Sequence, residues 1–288
     1  MTPEKQAFRW GIERRLEFIE FRLFWEGGVN RSDLVEEFGV SVPQASKDLA
    51  LYQEHAAHNI EYDKSLKRYF ASNSFRPAFI KLDADAYLNR LTASPAAATS
   101  GEPELLHAEK LPIPQRRIRP EVLRAVLACV RASSSIAILY QSMSAKRPEP
   151  LWRRVSPHAF GSDGLRWHVR AFCHTDSKFK DFILSRCLEV RSPDTCGAPP
   201  SSDVFWESIF PVRLMPNPRL GSAQQSIIVE DFGMKDGEAV VHVRQALLYY
   251  FSKRLRLDIA EQVNDPPEAP VVVKNRADFD VALAEAMR

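Results

Sequence analysis

The chain has 288 residues, 45% hydrophobic and 26% charged, with a formal net charge of only +2. This is too long for one small domain and too apolar for a disordered chain, while no apolar run reaches the ~20 residues of a membrane span. The opening MTPEKQAFRWGIERR lacks an apolar signal core, so a cytoplasmic protein is expected.

The charge is unevenly spread. Residues 1–92 carry a net −1, residues 101–198 a net +6 and residues 199–288 a net −3, so an anionic partner is to be sought in the middle. Two composition breaks divide the chain. ASPAAATSGEPE (Ala93 to Glu104) reads as a linker, and RSPDTCGAPPSSD (Arg191 to Asp203) as a softer break. The expected plan is a DNA-binding domain over 1–92, a linker over 93–110, a central domain over 111–195 and a C-terminal domain over 203–288. No internal repeat is found.

In the first domain Ile12, Leu16, Ile19 and Leu23 share one helix face. After Gly27-Gly28, Asn30 is placed to cap a helix with Asp33 three residues on, and Gly39 to end it. Ser41-Val42-Pro43-Gln44 then opens a second helix as a Ser-x-x-Gln capping box with proline in the first turn. Helix, short glycine-containing turn and capped helix make a helix-turn-helix. The β-like runs IEYD and KRYFAS around Lys64-Ser65 supply a wing hairpin. The second helix would present Ser41, Gln44, Ser46 and Lys47 to base edges, and the wing Lys64, Lys67 and Arg68 to phosphates. An ordinary helical hairpin is the plainer alternative.

In the central segment Val122, Ala125, Val126 and Cys129 predict a helix and SIAILYQS a strand. WRRVSPHAF, GLRWHVRAFCH and KDFILSRCLEV predict three more strands, the first two joined by a tight turn at Ser162–Gly164. A helix followed by a small, strongly bent antiparallel sheet is the economical reading. Alternation places Trp167, Val169, Ala171 and Cys173 on one face and His168, Arg170, Phe172 and His174 on the other. The second face, extended by neighbouring strands, collects Tyr140, Ser142, Arg154, Ser156, His158, His168, Arg170 and Arg186. These are candidates to bind something anionic or hydrogen-bonding, unless the face is merely solvated.

Metal binding by His158, His168, His174 and Cys173 is not supported, because Cys173 points away from the histidines and no carboxylate stands at a suitable spacing. The same geometry argues against a Cys–His nucleophile, and no Gly-x-Ser-x-Gly turn exposes a serine. The four cysteines are scattered, with no Cys-x-x-Cys pair. No catalytic residue, metal or cofactor is expected. An enzyme that merely docks through the helix-turn-helix would need a carboxylate cluster or an exposed nucleophile in this segment. A protein binding single-stranded nucleic acid through Arg170, Phe172 and Arg186 is a further alternative.

The C-terminal segment predicts strands around Ile227/Val229 and Val241/Val243, then a helix over Gln245 to Leu255 with Leu248, Phe251 and Leu255 in one stripe. A late strand over Ala269–Lys274 and a final helix over Ala277 to Met287 complete it. Asp231-Phe232-Gly233 has no glycine-rich loop or catalytic-loop pattern beside it and is no kinase signature. Part of this domain's apolar surface is expected to form a dimer contact.

The run RVSPH, RWHVRAFC and FILSR, preceded by a helix and a strand, resembles a WYL domain, with Trp167-His168-Val169 at the place of the Trp-Tyr-Leu signature. SPHAF, GLRWHVRAFC and KDFILSR together resemble the BrxR/CapW-like repressors of bacterial phage-defence operons, over most of the chain. The resemblance implies an α+β multidomain protein with an N-terminal winged helix-turn-helix, a central WYL Sm-like β-barrel and a C-terminal α+β extension domain. It implies a homodimeric repressor that binds an inverted-repeat operator in double-stranded DNA. Its WYL module would bind an anionic effector, a nucleotide or single-stranded nucleic acid, lined by Tyr140, Ser142, His158, His168, Arg170 and Arg186.

Overall fold

The structure is a computed structural model that describes residues 10–93, 108–114, 116–145, 147–260 and 262–287. The expected linker lies largely outside the described residues. The chain forms two compact units that part between Pro112 and Ile113.

The N-terminal unit is built on three helices, α1 (Trp10–Trp25), α2 (Arg31–Phe38) and α3 (Val42–His55). The spacing of apolar residues decides how they meet: Leu16, Ile19 and Leu23 from α1 pack with Leu34 from α2 and Ala45, Leu49 and Tyr52 from α3. Asn30 and Asp33 form the expected reciprocal cap on α2, and Gly39 ends it in the left-handed conformation, φ 62°. The wing is the antiparallel pair β1 (Ile60–Asp63) and β2 (Arg68–Ala71). Val29 and Tyr69 exchange backbone hydrogen bonds at 2.9 Å in both directions, which ties the wing to the α1–α2 turn. Gly28 permits that approach: its φ is 136°, and a Cβ there would lie 2.5 Å from the Tyr69 carbonyl oxygen.

A buried carboxylate closes this unit. Glu20 accepts from the Tyr52 hydroxyl at 3.0 Å and from the backbone N–H groups of Ala78, Phe79 and Ile80 at 2.6–2.8 Å. The chain leaving the wing is thereby fastened to α1 before α4 (Ala84–Ala93), a helix that the apolar spacing had not suggested.

In the second unit α5 (Pro120–Arg131) packs Val122, Val126 and Cys129 against a five-stranded antiparallel sheet. Its strands are β3 (Ser135–Tyr140), β4 (Leu151–Ser162), β5 (Trp167–Cys173), β6 (Lys178–Ile183) and β7 (Cys187–Asp194), in the order β6-β5-β4-β3-β7. KDFILSRCLEV is therefore two strands, not one, broken by a 3-10 turn at Leu184–Arg186. Those two strands are the two edges of the sheet. Four strand spacings of about 4.8 Å put flat edges ~19 Å apart, beyond the reach of a four-step connection. The sheet must curl until its edges approach. It does not close into the expected barrel, since β6 and β7 form no ladder with each other.

The C-terminal part carries α6 (Val204–Glu207), β8 (Ile209–Pro216), α7 (Ser222–Asp231), β9 (Ala239–Arg244), α8 (Leu248–Arg254), β10 (Val271–Val273) and α9 (Arg276–Met287). The three strands form an antiparallel sheet in the order β10-β8-β9. Its core joins Val212, Leu214, Leu248, Leu257, Val271 and Phe279. The segment with Ile227 and Val229, expected as a strand, is helix α7. Gln224 accepts from the Gly221 backbone at 2.9 Å and so caps its start, and Ile228 and Val229 reach the core one helical step apart. The expected helix, late strand and final helix are present.

Candidate nucleic-acid interface and ligand cleft

The residues expected to read DNA lie on the first turns of α3 and on the wing. Ser41 Oγ accepts from the Gln44 N–H at 3.4 Å, but the box is only half formed. Gln44 Nε2 instead donates to Asp48 Oδ1 at 3.0 Å, and buried Asp48 is gripped by Arg15 at 2.6 and 3.2 Å. Ser46 Oγ donates to the Val42 carbonyl at 3.0 Å. Lys47 is exposed.

On the wing, Asp63 accepts from the Ser65 and Leu66 N–H groups and shapes the tip. Lys64 and Lys67 stand exposed on it, Lys67 with φ 49°. Arg68 is spent differently. Its Nη2 donates to the Gly28 carbonyl at 3.0 Å, so it braces the wing against the α1–α2 turn rather than standing free for a phosphate.

The polar face of β5 is not a solvated basic surface. His168 and Arg170 are 1% and 4% exposed, while Trp167, expected to point inward, is 53% exposed at the strand end. Arg170 is paired with Asp203 through Nε at 2.7 Å and Nη2 at 3.0 Å, and with Asp181 at 3.3 Å. His158 Nε2 lies 2.9 Å from Asp203 Oδ2, the oxygen that also accepts from Arg170 Nε.

A bulge brings His158 there. Pro157 pairs with Ala171 and Ala159 with Arg170, so His158 is the extra residue. Proline, which cannot donate to a ladder, marks the place. Burial pushes the Asp203 carboxyl up, but the bonds from His158 and Arg170 outweigh it and hold it down at about 2. Burial raises Asp181 in spite of Arg170 and of the Tyr250 hydroxyl that donates to it at 3.1 Å.

The other candidates fall into separate small groups. The Tyr140 hydroxyl accepts from the Ile183 N–H at 3.3 Å and is raised by burial, with Arg186 beside it opposing the shift. Ser142 Oγ accepts from the Ser144 N–H. Ser156 Oγ lies 2.9 Å from His174 Nε2 and accepts from the Gly197 N–H. Arg154 donates to Ser135 Oγ and faces Asp194 at 3.7 Å. His168 lies under the Tyr250 ring at 4.3 Å between centroids, and neither ring nitrogen has a hydrogen-bond partner among the described residues. Its closest acid is Asp163, at 3.5 Å.

A cleft of about 840 Å³ opens between β6 of the sheet and the C-terminal helices. Of the eight candidates only Arg170 lines it, with Phe172, Phe179, Phe205, Tyr249 and Tyr250 as aromatic walls and Lys178 and Lys180 along β6. Sequence reasoning missed Asp203, Asp181 and Tyr250, which complete the polar floor. Asp203 lay inside a segment read as a break. Its signal was that of a helix cap, and it accepts from the Trp206 N–H at 3.3 Å at the start of α6.

Three family models match the chain in succession: the BrxR transcriptional regulator winged helix-turn-helix domain over residues 11–93, the WYL domain over 121–192, and the BrxR transcriptional regulator C-terminal dimerization domain over 209–279. The DNA-binding transcriptional repressor CapW of Escherichia coli (strain KTE188) is 35% identical over 98% of this chain and 95% of its own length. The chain belongs to the CapW family. Its CapW relatives in Stenotrophomonas maltophilia and Pseudomonas aeruginosa are 37% and 38% identical over 93% and 94% of this chain, and over 90% and 92% of their own. The winged helix-turn-helix, the WYL domain and the C-terminal dimerization domain thus follow in the order that the motifs implied, and the curled open sheet is the WYL domain of this CapW-family chain.

Proposed function

We propose that this CapW-family chain is a homodimeric, DNA-binding transcriptional repressor of a phage-defence operon, acting where the DNA is, in the cytoplasm, and without an enzymatic activity of its own. The observation that carries this reading is the unbroken succession of winged helix, WYL and dimerization domains in a chain aligned almost end to end with CapW repressors. Each protomer would lay α3 in a major groove and its wing beside it, so that a two-fold dimer meets an inverted repeat. Lys47, Lys64 and Lys67 would neutralise phosphates locally, although residues 1–92 as a whole carry a net −1.

The effector would occupy the cleft between the WYL sheet and the C-terminal helices. Aromatic walls suit a planar base, and Lys178 and Lys180, the latter paired with Asp176 at 2.7 Å, border the cleft with positive charge, so a nucleotide or a short single strand fits the lining. Such an anion would compete with Asp203 for the Arg170 guanidinium and so act on the link between the WYL and dimerization domains. A shift in repression requires different affinities for the DNA-competent and DNA-incompetent dimers.

The test is an anisotropy titration against the DNA upstream of the chain's own gene, with a scrambled duplex beside it at the same salt. Selective binding is expected, and in Lys47→Ala the slope of log affinity against log salt should fall by about one per protomer. Equal weak binding to both duplexes would overturn the repressor reading.

A further inference from the structure

The polar residues at the start of α3 are mostly turned inward or onto their own helix. Gln44 donates to Asp48, which Arg15 holds, and Ser46 donates to the Val42 carbonyl. Ser41 accepts the Gln44 N–H. A bidentate amide reader of adenine is therefore not on offer from Gln44 without breaking a partly buried network. Reading an adenine through N6 and N7 needs a free paired donor and acceptor in the groove, and this turn does not hold them out.

What it does hold out is apolar. Val42, the first residue of the helix, is 56% exposed, and Pro43 beside it and Ala50 further along the outer face are exposed as well. Nothing in the N-terminal core requires Val42, since the buried face of α3 runs through Ala45, Asp48, Leu49 and Tyr52. An aliphatic side chain at the tip of an element that enters the major groove has one apolar feature to meet there, the thymine C5-methyl.

From these observations, and resting on the reading of the chain as a DNA-binding repressor, we infer that Val42 is a specificity-determining residue that recognises a thymine methyl in each half-site, with exposed Lys47, five residues on, against a phosphate. Base identity is then read at this position by burial of a methyl group rather than by a hydrogen bond. The contact is insensitive to salt, unlike that of Lys47.

The experiment uses the full-length chain and a site selected from a pool of randomised duplexes. Each thymine of the selected site is then replaced, one at a time, by uracil, which keeps the pairing and the O4 acceptor and removes only the methyl. One thymine per half-site is expected to lose about fourfold in affinity on replacement, the factor for one buried carbon, and about 15-fold when both half-sites are changed. In Val42→Ala, which leaves the thermal transition unchanged because the side chain is exposed, the same replacement should cost less than twofold.

If a site is selected but uracil is tolerated at every position, or its cost is the same in Val42→Ala, the inference is overturned while the repressor reading stands. If no site is selected at all, both fall.

Discussion

At the scale of single residues, the same side-chain type serves opposite ends according to what surrounds it. Arg68 and Lys67 are neighbours in the chain, yet Arg68 bonds to the Gly28 carbonyl and Lys67 is exposed at the wing tip. His168 shows the same dependence. Periodicity puts it on the polar face of β5, but Tyr250 covers it there, and both its ring nitrogens are buried without hydrogen-bond partners among the described residues. Burial lowers its pKa from the usual 6.5, against the pull of Asp181 and Asp163 and with a smaller push from Arg166.

The folded state therefore binds a proton at His168 more weakly than the unfolded chain does. Stability is unaffected by this group well above pH 6.5 and declines as pH falls below it. His168→Phe keeps the ring and removes the titration. Its urea midpoint should fall less than that of the parent between pH 7 and pH 5, and an identical fall in both would refute the assignment.

At the scale of elements, boundaries legible in the sequence were those made by local chemistry. Asn30 with Asp33, Gly39, and Ser41 with Pro43 all act within a few residues, and each stands where its spacing put it, while the turn expected at Ser162–Gly164 is a four-residue loop, 163–166, that starts one residue later. Helix α7 was misread because Ile227 and Val229 are β-branched and two apart, a strand pattern that the tertiary core overrode. The 3-10 turn at Leu184–Arg186 was invisible because no glycine, proline, asparagine or aspartate marks it.

The wing gives an element-scale prediction. Lys64→Ala and Lys67→Ala should each weaken operator binding and shallow its salt dependence, with thermal stability within about 0.5 kcal/mol of the parent. Arg68→Ala should instead destabilise the N-terminal unit by about 1–3 kcal/mol, by leaving the Gly28 carbonyl without this donor. Denaturation and anisotropy measured on the three variants separate the two behaviours.

At the scale of the whole molecule, the WYL sheet and the C-terminal domain are joined by a buried charge network. Arg170 reaches Asp203, which starts α6, and Asp181, which Tyr250 of α8 also holds. Removing one partner of such a network costs about 3–5 kcal/mol because a charge is left buried and unpaired. Arg170→Ala is expected to show that loss in urea denaturation. Arg170→Met with Asp203→Asn should recover more than half of it, as a coupled pair requires; strictly additive effects would show that the pair does not join the two domains.

The amino-acid order by itself determined the winged helix-turn-helix, the helix and the first three strands of the WYL segment, and the family likeness, because caps, turns and hydrophobic periods act over neighbouring residues. Only the tertiary structure decided which polar residues are available for function. Gln44 meets Asp48 one turn along its own helix, but Asp48 is held there by Arg15, 33 residues away, and Arg170 faces Asp203, also 33 residues away; these partners are brought close by packing that no local spacing encodes.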